Sequence, residues 1–214
     1  MSAVELEPVT PKGRRTRLAL LEAGAVVAER HGLAGMSVAA VAEQAGVAKG
    51  TFYLYFPDRD AFIDALHQRF YARVSEAVAE AVDGLAPGTE LLLRAIDAYL
   101  DVCLENHAVK ALVFETRAQG ELTTTMEQRE ELFSKLAQPS LAAMGMRPAP
   151  IAARLFVAMT SEAALIEMQA GHRVSGARNT IRALAGERAP SAGPRVARGP
   201  APQGERRGQG RARD

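Results

Sequence analysis

The chain of 214 residues is 48% hydrophobic, 24% charged and only 5% aromatic, apolar enough to bury the core of one or two domains and far from wholesale disorder. Its 41 alanines and lack of tryptophan favour helix and starve the residue classes that strands prefer, which excludes an all-β fold. The net charge of +1 averages unlike segments, with 7 basic against 4 acidic residues from Lys12 to Arg59, 13 against 17 from Asp60 to Arg188, and 6 against 2 from Ala189 to Asp214; a basic module, an acidic body and a basic tail follow one another.

In chain order, residues 1–11 read as a flexible N-terminus. Helical periodicity begins with Leu18, Leu21, Ala25 and Ala28 and stops at His31-Gly32, where glycine suits a left-handed helix end. Ser37 then reads as the N-cap of a short helix that carries Val38, Val41 and Ala42 and ends at Gly46. A third short segment runs from Ala48 to Phe56, with Phe52 and Phe56 one turn apart on a shared face. Asp58 caps a long helix to about Val82, whose stripe of Phe62, Leu66, Phe70, Val74, Ala77 and Ala81 gives it a length of roughly 35 to 40 Å, enough to belong to two modules. Further helices are predicted over Thr89 to His107, Val109 to Ala118, Glu121 to Met144, Ala149 to Ala170 and Ser175 to Ala185, with breaks at Gly120, the Gly145 to Pro150 stretch and Gly171. In the helix from Ala149, one face carries Ala152, Leu155, Phe156, Met159, Ala163, Ile166 and Ala170, and a second strip carries Ala158, Leu165 and Met168. A helix apolar on two sides needs two neighbours: other helices of its own bundle, or a second copy of the chain. Residues 189–214 hold prolines, glycines and arginines without periodicity and read as a disordered basic tail.

The segment that carries chemistry is the second and third helices. A helix-turn-helix holds two short helices at a steep crossing, which requires a small residue where they touch and glycine where the chain reverses. Ala42 and Gly46 meet both requirements, and Val47 and Phe52 anchor the second helix. Lys49 stands in the first turn of that helix, where a positive charge opposes the helix dipole and a phosphate or a guanine edge would compensate it. Gly50 permits close backbone approach, Thr51 offers a hydroxyl and a methyl group, and Tyr53 and Tyr55 can present phenols to phosphates while Phe52 and Phe56 face inward.

The run Gly46-Val47-Ala48-Lys49-Gly50-Thr51-Phe52-Tyr53-Leu54-Tyr55-Phe56-Pro57-Asp58-Arg59, with Ser37 to Ala45 before it, resembles the DNA-binding domain of the TetR family of bacterial repressors over about Thr16 to Leu66. The resemblance places Ser37, Lys49, Thr51, Tyr53, Tyr55 and Arg59 at positions that touch phosphates or base edges. Ala48 departs from the serine or threonine common there, which removes a helix cap, and Arg59 stands where lysine is commoner. Arg14, Arg15 and Arg17, ahead of the first helix, resemble the basic arm of such domains; solvated arginines at a chain start are the alternative. The resemblance further implies an all-α protein: an N-terminal three-helix DNA-binding domain over residues 12–60, then a helical ligand-binding and dimerisation domain over 61–188. The implied protein is a cytoplasmic repressor. It would bind a palindromic double-stranded operator as a homodimer through the helices at 149–170 and 175–185, and be released by a small apolar or amphipathic inducer.

Candidate ligand-binding residues on the middle helices are Tyr99, Cys103, Phe114, Met126, Phe133, Phe156 and Met159, with Glu115, Arg117 and Glu162 as polar selectors if they point inward. The acidic body adds a slight bias toward a cationic ligand. The tail arginines Arg195, Arg198, Arg206, Arg207, Arg211 and Arg213 either add non-specific DNA affinity or form a solvated extension. One cysteine and four scattered histidines give no metal site and no disulfide, so no metal or cofactor is expected, and a reducing compartment is. No uninterrupted apolar run approaches about 18 residues and the first residues are acidic, so neither a membrane span nor a signal segment is expected. Phosphate-loop, dinucleotide, zinc-protease and serine-hydrolase motifs are absent, which argues against an enzyme; the pair Cys103 and His107, four residues apart, is the one thiolate arrangement to consider. A DNA-binding structural or adaptor regulator with a filled core and no inducer is the alternative function.

Overall fold

A computed structural model describes residues 10–118 and 124–187, in which every regular element is an α-helix. Residues 1–9 and the tail 189–214 lie outside the described residues. The helices are α1 (Pro11–Gly35), α2 (Val38–Gln44), α3 (Lys49–Tyr53), α4 (Arg59–Val82), α5 (Thr89–Glu105), α6 (His107–Ala118), α7 (Thr124–Ala143), α8 (Ala149–Ala170) and α9 (Ser175–Leu184).

The first helix starts seven residues before the predicted Leu18. Thr10 caps it by accepting the Gly13 amide at 3.1 Å, and Pro11 follows at the first helical position, where its missing N–H costs nothing. Arg14, Arg15 and Arg17 are therefore helical residues in the early turns of α1, not an arm ahead of it. Leu18, taken as the start of the buried face, is 44% exposed; the inner face begins at Leu20 and Leu21. The predicted stop is real: Gly32 takes φ 58° and ψ −163°, a sharp break before a last turn to Gly35.

Ser37 caps α2 through the Ala40 amide at 3.1 Å, and Gly46, at φ 67°, turns the chain into α3. The α3 helix is shorter than the predicted Ala48 to Phe56, and Ala48 caps it without a side-chain bond. Phe52 of α3 and Phe56, just past it, meet Phe62 of α4, with ring centroids 4.9 to 5.5 Å apart among the three. Such aromatic contacts each add about 0.5 to 1.5 kcal/mol beyond burial. Gly24 makes the α1–α4 crossing close: a Cβ there would lie 2.5 Å from Phe62 Cζ.

Asp58 caps α4 at the Ala61 amide, 2.8 Å away. The helix then buries Phe62 and Leu66 in the N-terminal module and Phe70 and Val74 farther on, as its stripe predicts, together with Tyr71, while Ala77 and Ala81 are half-buried. The body packs α4 to α8 around one another. On α8 the buried face is Ala153, Phe156, Thr160, Ala163, Ala164 and Glu167. Leu155 and Ile166, on the first of the two predicted apolar sides, are 66% and 40% exposed and lie with Ile151 and Ala158 on the outer side of α8. Its apolar stretch, with mean hydropathy 1.4 over 18 residues, matches a spanning segment in length and composition. Contrary to the expectation of no such stretch, then, α8 is that apolar, but its inner face carries Glu167 in an ion pair with Arg178 of α9 at 2.7 Å.

Candidate nucleic-acid interface and ligand cavity

The N-terminal module presents α3 outward. Phe52 is fully buried and pins the helix, while Lys49 and Gly50 are exposed, Tyr53 is 49% exposed and Leu54, just past the helix, is 73% exposed. A Cβ on Gly50 would meet nothing within 4 Å. The glycine thus answers no packing need inside the module and leaves the outer side of α3 open to close approach. Thr51 and Tyr55 are half-buried, and Tyr55 packs partly on the core. Ser37 is exposed at the start of α2 with its hydroxyl already accepting the capping bond. Arg17 stacks its guanidinium over the Phe56 ring at 5.2 Å, which sets the basic early turns of α1 beside the end of the α3 segment.

Arg59 makes contacts that its sequence reading did not include. Its Nε donates to the Met36 carbonyl at 2.6 Å and its Nη2 to the Leu33 carbonyl at 2.8 Å. Those bonds commit the guanidinium to fixing the corner between α1 and α2. Glu115 acts on the same residue, accepting the Leu33 amide at 2.7 Å, and its carboxylate also fills the space beside Gly32. Leu33 is thus held by α4 through its C=O and by α6 through its N–H. Glu115, a candidate selector of ligand, is instead a link between the body and the N-terminal module. Glu162 is exposed, and the side chain of Arg117 lies outside the described residues.

A cavity of about 410 Å³ lies in the body between α4, α5, α6, α7 and α8, within the usual range of small-molecule sites. Four of the residues singled out by sequence line it: Tyr99, Phe114, Phe133 and Phe156. Cys103 and Met159 do not; they pack in the core behind the wall. The side chain of Met126 lies outside the described residues. Sequence reasoning missed Lys110, Ser75, Thr160 and Ser161, the polar part of the lining. Lys110 is only 3% exposed, and its Nζ lies 4.7 Å from the centroid of Phe114, 5.4 Å from Tyr99 and 5.8 Å from Phe70. A lysine within an apolar helix pattern was the available signal, because a charge on an inward face requires a purpose.

Cys103 and His107 do not form a thiolate pair. Burial pushes the Cys103 thiol up to about 11, and His107 sits at the surface on a different helix, 3.9 Å from Glu29. Beside Lys110, His67 on α4 is fully buried with both ring nitrogens unpaired, and burial followed by the nearby lysine charge lowers its pKa to about 4.

The helix-turn-helix of α2 and α3 is joined through α4 to a helical body that carries a cavity. Residues 20–66 match the family model described as bacterial regulatory proteins, tetR family. A TetR-like transcriptional regulator from Rhodococcus sp. RHA1 has the same fold with a TM-score of 0.70 at 22% identity, over 79% of this chain and 93% of that one. A second transcriptional regulator from the same source gives 0.67 at 18% identity, over 81% and 99%. A transcriptional regulator from Aquifex aeolicus VF5 gives 0.59 at 18%, over 78% and 96%.

Proposed function

We propose that the protein is a cytoplasmic repressor that binds a palindromic operator as a homodimer and leaves it when a small apolar or amphipathic molecule occupies the body cavity. The observation that carries this reading is the double hold on Leu33. Phe114 lines the cavity, and its neighbour Glu115 grips the corner of the N-terminal module from α6 while Arg59 grips it from α4. A ligand that displaces α6 acts on that corner directly and shifts the population toward a state in which the recognition helices no longer match groove spacing.

In this reading Lys49, Gly50, Thr51, Tyr53 and Leu54 meet the major groove, Arg14, Arg15 and Arg17 meet phosphates, and Ser37 and Tyr55 contribute at the edge. Arg59 supports the reader from within. The reader spans residues 12–60 and the effector and dimer domain 61–188, with α4 common to both. Ile151, Leu155, Ala158 and Ile166 of α8, with Leu184 of α9, form an outward apolar surface suited to a two-fold contact with a second copy. The open cavity favours ligand control over an adaptor with a filled core. Incubating the full-length protein with sheared genomic DNA and sequencing the retained fragments should recover an inverted repeat occupied by two copies, with half-sites one helical turn or a multiple of it apart. Fragments without a common repeat, or one copy per site, would contradict the proposal.

A further inference from the structure

We propose that the body cavity is a slot for an unbranched alkyl chain of about ten carbons, bound tail-outward, whose polar head hydrogen-bonds the Tyr99 and Ser161 hydroxyls at the inner end. This rests on the reading of the cavity as an effector site and specifies the shape and orientation of the effector.

The cavity runs along the α4–α5 hairpin. Its wall on α4 is Tyr71, Ser75, Val78, Ala79 and Val82, and on α5 it is Leu91, Leu92, Ala95, Ile96 and Tyr99. At 1.5 Å per residue the first face is about 16 Å long and the second about 12 Å. The other helices contribute shorter stretches, Lys110 to Phe114 on α6, Phe133 to Ala137 on α7 and Phe156 to Ser161 on α8, each about 6 to 8 Å. A volume of about 410 Å³ drawn out along the hairpin is longer than it is wide.

Its two ends differ. At the end far from the α4–α5 turn, the Tyr99 phenol and the Ser161 hydroxyl are hydrogen-bonded to each other, and burial holds the phenol well above its usual range, so it stays a neutral hydroxyl. Tyr71, Lys110 and Val113 at this end are buried. Toward the turn the described lining becomes aliphatic, with Val78, Ala79, Val82, Leu91, Leu92 and Ala95. Ser140 of α7 accepts the Gly88 amide at 3.2 Å, which brings the later turns of α7 to the same end. Ala79 and Leu136 line the slot and are exposed, and Val78, Val82 and Leu91 are half-buried, so the aliphatic end is the one that reaches the surface. A molecule with a hydrogen-bonding head and a hydrocarbon tail matches that division: the hydroxyl pair takes the head, and the aliphatic wall takes methylenes, each worth about four-fold in affinity. An extended chain advances roughly 1.2 Å per bond, since three backbone bonds advance at most about 3.6 Å. About ten carbons therefore reach from the hydroxyl pair to Leu91. A compact polycycle of the same carbon count is too short to meet both ends.

Isothermal titration calorimetry of the full-length protein with 1-hexanol, 1-octanol, 1-decanol, 1-dodecanol and the compact alcohol 1-adamantanol tests it. Affinity should rise about four-fold per methylene from hexanol to decanol and by less from decanol to dodecanol. 1-Adamantanol, with as many carbons as decanol, should bind at least about ten-fold more weakly than decanol. Two variants locate the ends. Val82→Phe, which narrows the aliphatic end, should weaken decanol by about ten-fold, the worth of nearly two methylenes, and leave hexanol unchanged. Ser161→Ala should weaken every alcohol by a similar factor of about five. Should Val82→Phe fail to fold, the wild-type series and Ser161→Ala still decide. Adamantanol as tight as decanol, an affinity level from hexanol onward, or an unbroken rise through dodecanol overturns the proposal. Unchanged affinities in Ser161→Ala overturn it too, as does a Val82→Phe protein that loses hexanol as much as decanol, and so does binding by none of the five. Operator anisotropy in the presence of each compound separates this from the effector reading. Adamantanol that binds as tightly as decanol and releases the operator overturns the chain and keeps the effector, whereas alcohols bound in the expected order that leave the operator occupied support the slot and contradict release by ligand.

Discussion

Phe52, Phe56 and Phe62 hold the reader from within while Lys49, Tyr53 and Leu54 stand on its surface, and the two groups should respond differently to substitution. Lys49→Ala should weaken operator binding and lower the salt slope by about one if it meets a phosphate. Leu54→Ala, which removes an apolar contact suited to a thymine methyl, should weaken binding by about 1 kcal/mol without changing that slope. Fluorescence anisotropy at several salt concentrations separates the two. A second residue-scale expectation concerns His67. Unfolded, it takes a proton as pH falls through about 6.5, whereas the folded state resists until about 4. Between those values the unfolded state binds more protons, so stability falls as pH falls, by at most about 3 kcal/mol. Urea titrations from pH 7 to pH 4 should show that slope, and His67→Leu should flatten it. Arg59 marks the limit of sequence at this scale. A basic residue after Pro57-Asp58 looks like a phosphate contact, but two carbonyls that its guanidinium reaches, those of Leu33 and Met36, lie more than twenty residues earlier in the chain. Only the tertiary fold brings them within reach.

At the scale of the element, the described helices from α4 onward were legible to within about two residues, because Asp58, Gly145 and Gly171 punctuate apolar stripes of helical period; the break predicted at Gly120 and the start at Glu121 lie outside the described residues. The start of α1 was not. Its first turns are polar and mostly exposed and contribute nothing to a periodicity argument, although Thr10-Pro11 is itself a start signal. The two apolar sides of α8 meet a related limit. Periodicity finds two apolar sides but cannot say which one the chain itself covers. The crossing of α1 and α4 depends on Gly24, and Gly24→Ala should push against Phe62 and Leu66 and cost about 1 to 3 kcal/mol in thermal or urea unfolding. At the other end of the molecule, α9 is fastened by Arg178, which reaches Glu167 at 2.7 Å and Asp101 at 2.9 Å. Burial alone would raise the pKa of Glu167, but the Arg178 hydrogen bond and the Val174 amide bring it below the ordinary carboxylate value. Removing the cation strands that buried carboxylate. Arg178→Ala should therefore destabilise by about 3 to 5 kcal/mol, with the loss read from urea unfolding.

Across the whole molecule, the near-neutral charge conceals a basic reader and an acidic body, with Lys110 among the residues that line the cavity. The reader was legible because its function lies in contiguous residues at fixed spacing. The cavity was legible only in its aromatic wall, because whether an inward face meets another side chain or a void depends on five helices at once. The central claim is that filling this void moves the reader through α6 and the Leu33 corner. Ala95, in the cavity wall on α5, allows that to be tested without knowing the effector: Ala95→Phe adds a phenyl ring to the void. Operator affinity of wild type, Ala95→Phe and the double variant Ala95→Phe with Glu115→Gln, measured by anisotropy on the selected inverted repeat, is the direct measurement. The account predicts that Ala95→Phe binds the operator about ten-fold more weakly, a typical allosteric coupling of 1 to 3 kcal/mol, and that Glu115→Gln reduces the difference. Unchanged operator affinity in a folded Ala95→Phe protein that no longer binds a cavity probe would contradict it.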